Sequence, residues 1–219
     1  MKIFNKKFLT NGRCHIYFCG LKIMSHRTHS SCILIHGIGN TVLNAPPHCQ
    51  GQIYGSNNKI IFGKHTSDWH GNIFIGLPDM PVDSCSVIIG DNSTSNGVVI
   101  RICEDNTNVN IGSDCMFSSE IIIWASDTHT VTDLDGKIIN IGKYVNIGNH
   151  VWVGMGATIL KNTKIADNCI VGTRSVVAGK FEKSNCAIAG NPGKIVKENI
   201  DWDRRRPKQY MLEVKNENN

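Results

Sequence analysis

A histidine between two aspartates is the first feature of this sequence that could carry out chemistry. His129 lies in the segment SDTHTVTD, with Asp127 before it and Asp133 after it. An imidazole has an ordinary pKa of about 6.5, so it can take a proton from a hydroxyl group near neutral pH and act as a general base. Either aspartate could hold the imidazole tautomer, as in a catalytic triad, or could be a turn residue that bonds its own backbone.

Trp152, in the segment VWVGMG, is the second such feature. Its large indole stands between Val151 and Val153, in a stretch that otherwise favours small residues. We expect the neighbouring valines to point into the protein interior and the indole to point out to the surface. A tryptophan on the surface is normally buried at an interface or a binding site. Trp152 is therefore a candidate for an active site or for a subunit contact.

The nine cysteines do not suggest a metal site or a disulfide framework. No C-x-x-C pair occurs, and Cys115, Cys169 and Cys186 lie in regular polar and aliphatic repeats, where they are expected to be small buried side chains. No cluster of His, Cys and carboxylate residues has zinc-ligand spacing, so we expect no catalytic metal. We find neither a signal peptide nor a transmembrane span, which favours a reducing cytoplasm.

A six-residue repeat in the C-terminal half must position the candidate residues. Seven aliphatic residues fall six apart: Ile141, Ile147, Val153, Ile159, Ile165, Val171 and Val177. An amphipathic helix would repeat every three or four residues, so this spacing excludes it. A six-residue unit has room for one short strand and one turn, and coils of such units stack in parallel ladders. We expect the aliphatic residue to fill the interior, and the Gly or Ala that usually follows it to permit the bend.

The repeat is interrupted once. Ile123 lies three units before Ile141, but the in-phase positions between them hold His129 and Asp135. We therefore expect residues 124–140 to leave the stack as a loop and to return in the same register. Loops on a rigid scaffold are favoured places for chemistry.

The pattern divides the chain into three parts. Residues 1–70 are expected to be a β-rich cap, because an open coil end is an exposed strand edge. Residues 71–195 form the repeat domain. Residues 196–219 form a C-terminal helix and tail, because the apolar residues of KIVKENIDW have helix-like spacing. The expected fold class is all-β: a parallel β-helix with an extruded loop and a short C-terminal helix.

From about residue 85 to 205 the chain resembles the hexapeptide-repeat acyltransferases. Three segments carry the likeness: SDTHTVTD, IGNHVWVGMGATILKNTKIADNCIVGTRSVV and AIAGNPGKIVKENI. Within that family the chain is similar to the sugar O-acetyltransferases, and NCAIAGNPGKIVKENIDW most resembles the enzymes that acetylate sialic-acid capsule polymers. The resemblance implies a left-handed triangular β-helix, a homotrimer with active sites between subunits, and acetyl transfer from acetyl-CoA to a glycan hydroxyl.

The resemblance also implies roles for particular residues. His129 matches the family's catalytic base, and Trp152 matches a ring placed against the thioester end of CoA. The implied CoA-binding residues are Gly154, Ala157, Thr158, Gly172, Thr173 and Arg174 along the pantetheine arm, with Pro192 and Lys194 near the adenine and the 3′-phosphate. Thr173 and Arg174 stand where the family more commonly has small residues, so Arg174 could contact a phosphate itself or face solvent.

Other functions remain open at this point. The γ-type carbonic anhydrases share the β-helix but need three convergent histidines, and only His129 and His150 lie near the right region. A β-solenoid with a structural or binding role would not bind CoA. An N-acetyltransferase of a nucleotide-linked amino sugar would use the same histidine to receive a proton from an amine.

The composition limits the fold class and the kinds of partner but does not select one function. The 219 residues are 41% hydrophobic but only 7% aromatic, with 21 glycines, which suits one domain of repetitive β-structure. The net charge of +5 is too small and too dispersed to indicate a nucleic-acid partner. It suits an anionic cofactor or an acidic polymer, or simply a solvated surface.

Overall fold

The computed structural model describes residues 4–8, 13–18, 21–27 and 32–217, with side chains from residue 33 to residue 213. The first three strands form an antiparallel sheet in the order β1, β2, β3. Their bounds are β1 (Phe4–Phe8), β2 (Arg13–Phe18) and β3 (Leu21–Arg27). The start of the chain is thus β-rich, and its role as a cap stays a prediction.

Parallel ladders begin at the fourth strand. The next strands are β4 (Cys32–His36), β5 (Thr41–Leu43), β6 (Cys49–Tyr54), β7 (Lys59–Phe62), β8 (Trp69–Ile75), β9 (Ser86–Ile89) and β10 (Thr94–Ile102). β4 pairs with β6, β6 with β8 and β8 with β10, all in parallel. The boundary expected at residue 70 therefore falls inside β8, and the stack already includes residue 32.

These N-terminal coils differ in length, so their inward-pointing residues do not keep the six-residue spacing in the sequence. Thr41 pairs with Lys59, 18 positions later, but Lys59 pairs with Ser86, 27 positions later. The extra residues form longer connections at the corners, and the strand pairing of the ladders continues. The side chains that point inward still pack as in the regular coils, and Ile75 and Ile89 are buried.

The remaining strands are shorter. They are β11 (Asn108–Ile111), β12 (Met116–Phe117), β13 (Ile121–Trp124), β14 (Tyr144–Ile147), β15 (Trp152–Val153), β16 (Thr158–Leu160), β17 (Thr163–Ile165), β18 (Ile170–Val171), β19 (Val176–Val177), β20 (Lys180–Phe181), β21 (Cys186–Gly190) and β22 (Gly193–Glu198), followed by the helix α1 (Pro207–Glu217).

The ladders make three faces. The first face contains β12, β15, β18 and β21; the second contains β13, β16 and β19; the third contains β11, β14, β17 and β20, preceded by β9, β7 and β5. The long strands β8 and β10 join the first two faces upstream. The fold is the predicted left-handed parallel β-helix, and the described residues are all-β except for one short helix.

The repeat positions fill the interior, with one exception. Ile147 is 3% exposed and Val177 0%, and the aliphatic residues of the repeat between them are buried as well. Cys115, Cys169 and Cys186 are completely buried, as predicted. Ile141 is 55% exposed, contrary to expectation, because it lies on the returning limb of the loop and not in the stack.

The residue that makes the bend is not the small residue that we expected. Gly148 allows close packing instead, because a Cβ at this position would lie 2.3 Å from Asp167 Oδ1 in the next coil. The left-handed backbone comes two residues later, at His150 (φ 51°), and again one coil on at Asn168 (φ 59°). Asparagine and histidine are among the residues that tolerate this conformation best.

The loop leaves and rejoins the stack as predicted. Asn108 on β11 pairs with Tyr144 on β14, 36 positions later, which is twice the 18 positions between Val145 and Thr163 in the next coil. Residues 125–143, between β13 and β14, therefore add one full coil length without changing the register. Within this loop Thr132 and Ile138 form an antiparallel bridge.

The C-terminal helix starts later than its pattern suggested. Residues 193–198 form β22, which pairs antiparallel with β21, and α1 begins only at Pro207. The apolar residues of KIVKENI occupy both faces of a hairpin strand, where Val196 is 62% exposed. A strand is favoured here because β21 would otherwise end the first face with an unpaired edge.

Candidate functional site

His129 lies in the extruded loop beside a cavity of about 240 Å³. The residues around this cavity are Cys103, Glu104, Asp127, Thr128, His129, Thr130, Ile138, Asn140 and Ile141. His129 is exposed. Its backbone carbonyl accepts a hydrogen bond from Asn140 Nδ2 at 2.8 Å, whereas its ring makes no hydrogen bond within residues 33–213. The backbone is held and the imidazole is available.

A polar network fixes the base of the loop. Asp127 accepts hydrogen bonds from Lys161 Nζ and, at 2.8 Å, from Asn140 Nδ2. Lys161 also donates to the Asn140 carbonyl. Glu104 accepts from the amides of Asp127 at 3.1 Å and Gly142 at 2.7 Å, and so bridges the two limbs where the loop begins and ends.

The charge of Asp127 is stabilised in this network. Partial burial would raise the pKa of its carboxyl group, but the hydrogen bonds from Lys161 and Asn140 and the Lys161 charge hold the pKa below its ordinary value. The carboxylate is thus committed to Lys161 and Asn140 and not to the His129 ring. Asp127 holds the loop that carries the histidine.

Asp133 is a turn residue. Its Oδ1 accepts from the amides of Asp135 at 3.1 Å and Lys137 at 2.8 Å, and its own amide donates to the Lys137 carbonyl. This is the second of the two roles that the sequence left open. Within residues 33–213 neither aspartate forms a hydrogen bond to the His129 ring. A direct catalytic role for Asp127 or Asp133 therefore stays a prediction.

Trp152 points outward from the first face, as predicted. It is half-buried, while its neighbour Val153 is fully buried. Its ring lies 6.2 Å from that of Trp202, centroid to centroid. Its Nε1 is buried without a hydrogen-bond partner in the described part of the chain.

The segment after β22 folds back onto the first face through four residues, which we call the C-terminal clamp: Asp114, His150, Trp202 and Arg204. The His150 and Trp202 rings stack at 4.2 Å, and Trp202 Nε1 donates to the His150 carbonyl at 2.9 Å. His150 Nδ1 donates to Asp114 Oδ2 at 2.6 Å, and Arg204 Nε donates to Asp114 Oδ1 at 3.0 Å. The clamp places Trp202 beside Trp152.

The predicted CoA residues lie along one corner of the stack, between the first and second faces. Two coils stack directly there, because the Arg174 amide donates to the Met155 carbonyl and the Thr158 amide to the Ser175 carbonyl, each at 2.8 Å. The stack already uses the backbone amides of Gly154, Ala157, Thr158, Gly172 and Arg174. These five amides are therefore not available as donors to a ligand.

Pro192 and Lys194 lie on the β21–β22 hairpin, one coil beyond Thr173 and Arg174. The Gly190 amide donates to Ser175 Oγ at 3.1 Å and ties the hairpin to the same corner. Pro192, Lys194, Thr173 and Arg174 are all exposed. Two cations are therefore available along this edge, as binding of phosphates would require.

A single chain does not bring the histidine and the tryptophan together. His129 follows the carboxyl end of β13, at the corner between the second and third faces, whereas Trp152 lies on the first face. The CoA candidates occupy a different corner from His129. A site that uses all of them needs a second copy of the chain.

Sequence reasoning missed the residues that hold the loop and the tail. Glu104, Asn140 and Lys161 act through contacts 11 to 38 positions apart, and no local motif marks them. His150 contacts Trp202 across 52 positions. The only local signal was the presence of a large aromatic residue, Trp202, in a polar tail.

Two further observations limit the site. No group of three His, Cys, Asp or Glu side chains suited to a metal ion occurs among the described residues. The helices in that same part of the chain include none long and apolar enough to cross a membrane.

The three ladders, the six-residue repeat and the loop-borne histidine define a hexapeptide-repeat left-handed β-helix protein. Residues 144–179 match the family described as bacterial transferase hexapeptide (six repeats). The family resemblance predicted from the sequence is confirmed.

The relatives include polysialic acid acetyltransferases. The polysialic acid O-acetyltransferase of Escherichia coli O1:K1 / APEC is 34% identical over 119 residues, which is 54% of this chain but only 38% of that protein's length. The crystal structure of the polySia-specific acetyltransferase NeuO is 28% identical with a TM-score of 0.64, and covers 85% of this chain and 100% of that one. The structure of the polysialic acid O-acetyltransferase OatWY is 29% identical with a TM-score of 0.58, and covers 85% of this chain and 98% of that one.

Proposed function

We propose that this chain is an O-acetyltransferase that moves an acetyl group from acetyl-CoA to a hydroxyl group of a bacterial surface glycan, with a sialic-acid capsule polymer as the leading acceptor. The observation that carries the proposal is the exposed His129 ring beside a cavity, on a loop fixed by Glu104, Asp127 and Lys161. The relatives named as polysialic acid O-acetyltransferases support the reaction and the acceptor.

His129 acts as the general base in this reaction. The imidazole takes the proton of the acceptor hydroxyl while its oxygen attacks the thioester carbonyl of acetyl-CoA. The tetrahedral intermediate then releases the CoA thiolate, which receives the proton from the imidazolium. No covalent acyl-enzyme is needed, and burial raises the pKa of Cys103, the thiol beside the cavity, so that it is a poor nucleophile.

The corner between the first and second faces binds acetyl-CoA. Trp152 presents its outward ring to the thioester end of CoA, and the carbonyl oxygens near Gly154 and Gly172 accept from the pantetheine amides. Arg174 and Lys194, both exposed, pair with the phosphates. The chemistry requires no metal.

The working unit is a homotrimer. His129 and Trp152 lie on different faces, so three chains around an axis can bring the loop of one subunit to the corner of the next. The loop also carries large apolar side chains that one chain leaves exposed: Val131 by 49%, Leu134 by 106%, Ile138 by 50% and Ile139 by 60%. A neighbouring subunit would bury them. The free buried cysteines suit the reducing cytoplasm, where acetyl-CoA is available.

The test is thiol release from acetyl-CoA by the purified protein, measured against a panel of glycans. The panel contains sialic-acid oligomers, neutral oligosaccharides and nucleotide-linked amino sugars, each assayed with and without a chelator. Release with hydroxyl acceptors and full activity in the chelator support the proposal. Thiol release with the amino sugars alone, or no release with any acceptor of the panel, contradicts it.

A further inference from the structure

Arg101 lies between two aromatic rings on the outward side of the second face. Its guanidinium carbon is 4.7 Å from the centroid of Phe74 in the preceding coil and 5.6 Å from that of Trp124 in the following coil. The three residues are register partners in the ladder of β8, β10 and β13. Cation–π attraction to both rings therefore fixes the charged head.

Among the residues whose side chains the structure describes, the guanidinium has no charged partner. Within residues 33–213 Arg101 forms no ion pair and donates no side-chain hydrogen bond, whereas Arg204 pairs with Asp114 and Arg205 with Asp203. Packing against rings uses the faces of a guanidinium and leaves the N–H donors in its plane. A half-buried, held arginine with its donors unused is suited to bidentate binding of a carboxylate.

Arg101 lies next to the His129 cavity. It precedes Cys103, which lines that cavity, by two residues, and its carbonyl accepts the amide of Ala125 at the start of the loop. Burial raises the pKa of the Cys103 thiol, and the Arg101 charge acts in the opposite direction. The guanidinium is thus close enough to act on a group that lines the cavity.

A polar groove continues on the other side of Phe74. This amide groove has a volume of about 250 Å³ and is lined by Leu34, Gln50, Gly51, Gln52, Asn72 and Phe74. Amide side chains both donate to and accept from sugar hydroxyls, and an aromatic ring packs against the apolar face of a sugar. The second face therefore presents a strip from His129 over Arg101 to the amide groove.

We propose that Arg101 binds a carboxylate of an acidic glycan acceptor and that the amide groove holds a further sugar of the same chain. The inference rests on the proposed function, and it specifies the acceptor as an acidic one. In a polymer with a carboxylate on every sugar, one carboxylate would pair with Arg101 while a hydroxyl of a neighbouring sugar lies at His129.

The experiment uses the chain of 219 residues and a sialic-acid oligomer, together with the same oligomer after chemical reduction of its carboxylates to alcohols. Arg101→Gln and Arg101→Lys are compared with wild type and with the charge-matched control Lys64→Gln, which lies at the corner after β7, away from the second face. For Arg101→Gln we expect a KM for the acidic oligomer about 10- to 100-fold higher, the effect of losing a charged hydrogen-bonded pair, with an unchanged KM for acetyl-CoA. Arg101→Lys should fall in between, and Lys64→Gln should match wild type.

Binding of the two oligomers is also measured by calorimetry without acetyl-CoA, so that the inference is tested even if turnover fails. Wild type should prefer the acidic oligomer, and Arg101→Gln should lose that preference while its thermal unfolding midpoint falls by no more than a few degrees, the cost of the lost cation–π contacts. Equal binding of both oligomers by wild type, or an unchanged preference in Arg101→Gln, overturns the inference. Robust transfer to neutral glycans would then leave the acetyltransferase proposal standing, whereas absence of thiol release with every acceptor would reject that proposal separately.

Discussion

His129 combines a restrained backbone with a free ring. Its carbonyl is bonded to Asn140, and its side chain is exposed and packs little against the stack. Removal of the ring should therefore cost little stability, while the acceptor hydroxyl would lose its base.

We expect His129→Ala to lower kcat by roughly 100- to 10,000-fold, the usual contribution of a general base, with acetyl-CoA binding unchanged. Thiol-release kinetics measure the first value and calorimetry the second. Asp135→Ala, another exposed position on the same loop, serves as the control and should remain active. Turnover of His129→Ala within a few fold of wild type would remove the assignment.

The two aspartates provide a matched pair. Asp127 is bonded to Lys161 and Asn140 at the base of the loop, whereas Asp133 only caps a turn farther out. Asp127→Asn should therefore displace the histidine and lower kcat by about tenfold or more, since small misplacements of a reacting group are costly. Asp133→Asn should stay near wild type. Equal kinetic effects of the two substitutions would mean that Asp127 does not position His129.

At the scale of elements, the C-terminal clamp links the tail to the first face through a titratable group. Partial burial would lower the pKa of His150, but the hydrogen bond to Asp114, the Trp202 carbonyl and the Asp114 and Asp201 charges raise it above its ordinary value. The folded protein therefore binds this proton more tightly than the unfolded chain. The stability gained is fully present below a pH of about 6.5 and is lost as pH rises through the folded-state pKa.

We accordingly expect wild type to lose stability relative to His150→Asn as pH is raised from about 6 to about 9, by a few degrees in Tm at most. Thermal unfolding of both proteins at a series of pH values gives the difference curve. Asp114→Asn removes the main hydrogen-bond partner of His150. Its Tm should therefore vary less with pH than that of wild type, as for His150→Asn. A difference that grows with rising pH would show that the sign is wrong.

The elements also show what the sequence could and could not predict. The coils from Ile147 to Val177 were predictable, because each keeps the six-residue spacing and every repeat position is buried. The coils before residue 71 were not, because corner insertions break the spacing while the ladders continue. β22 was mistaken for a helix, since its apolar pattern suits either structure and only the unpaired edge of β21 decides between them.

The sequence indicates candidate residues for the site but not the contacts that they make. His129 and Trp152 stand out by type and by their departure from the repeat. The bonds that Asp127 makes depend on Lys161, 34 positions later, and no periodicity reveals that contact. Arg101 was likewise invisible, because its two rings come from the coils on either side.

At the scale of the whole molecule, the separation of His129 and Trp152 on different faces makes a specific prediction about assembly. A cyclic trimer of 24.2 kDa chains should have a mass of about 73 kDa by light scattering. A monomer at micromolar concentration would leave the loop's apolar side chains exposed and the proposed site incomplete.

Complementation tests whether each site uses two subunits. His129→Ala and Trp152→Ala should each be inactive alone, since every site then lacks one group. If the two variants are co-expressed in equal amounts and assemble at random, about one quarter of the sites should combine a native histidine from one chain with a native tryptophan from its neighbour. Mixed trimers, isolated through a different affinity tag on each variant, should therefore recover activity that neither variant has. Mixed trimers without activity, despite verified incorporation of both chains, would place the histidine and the tryptophan in separate functions or in one subunit.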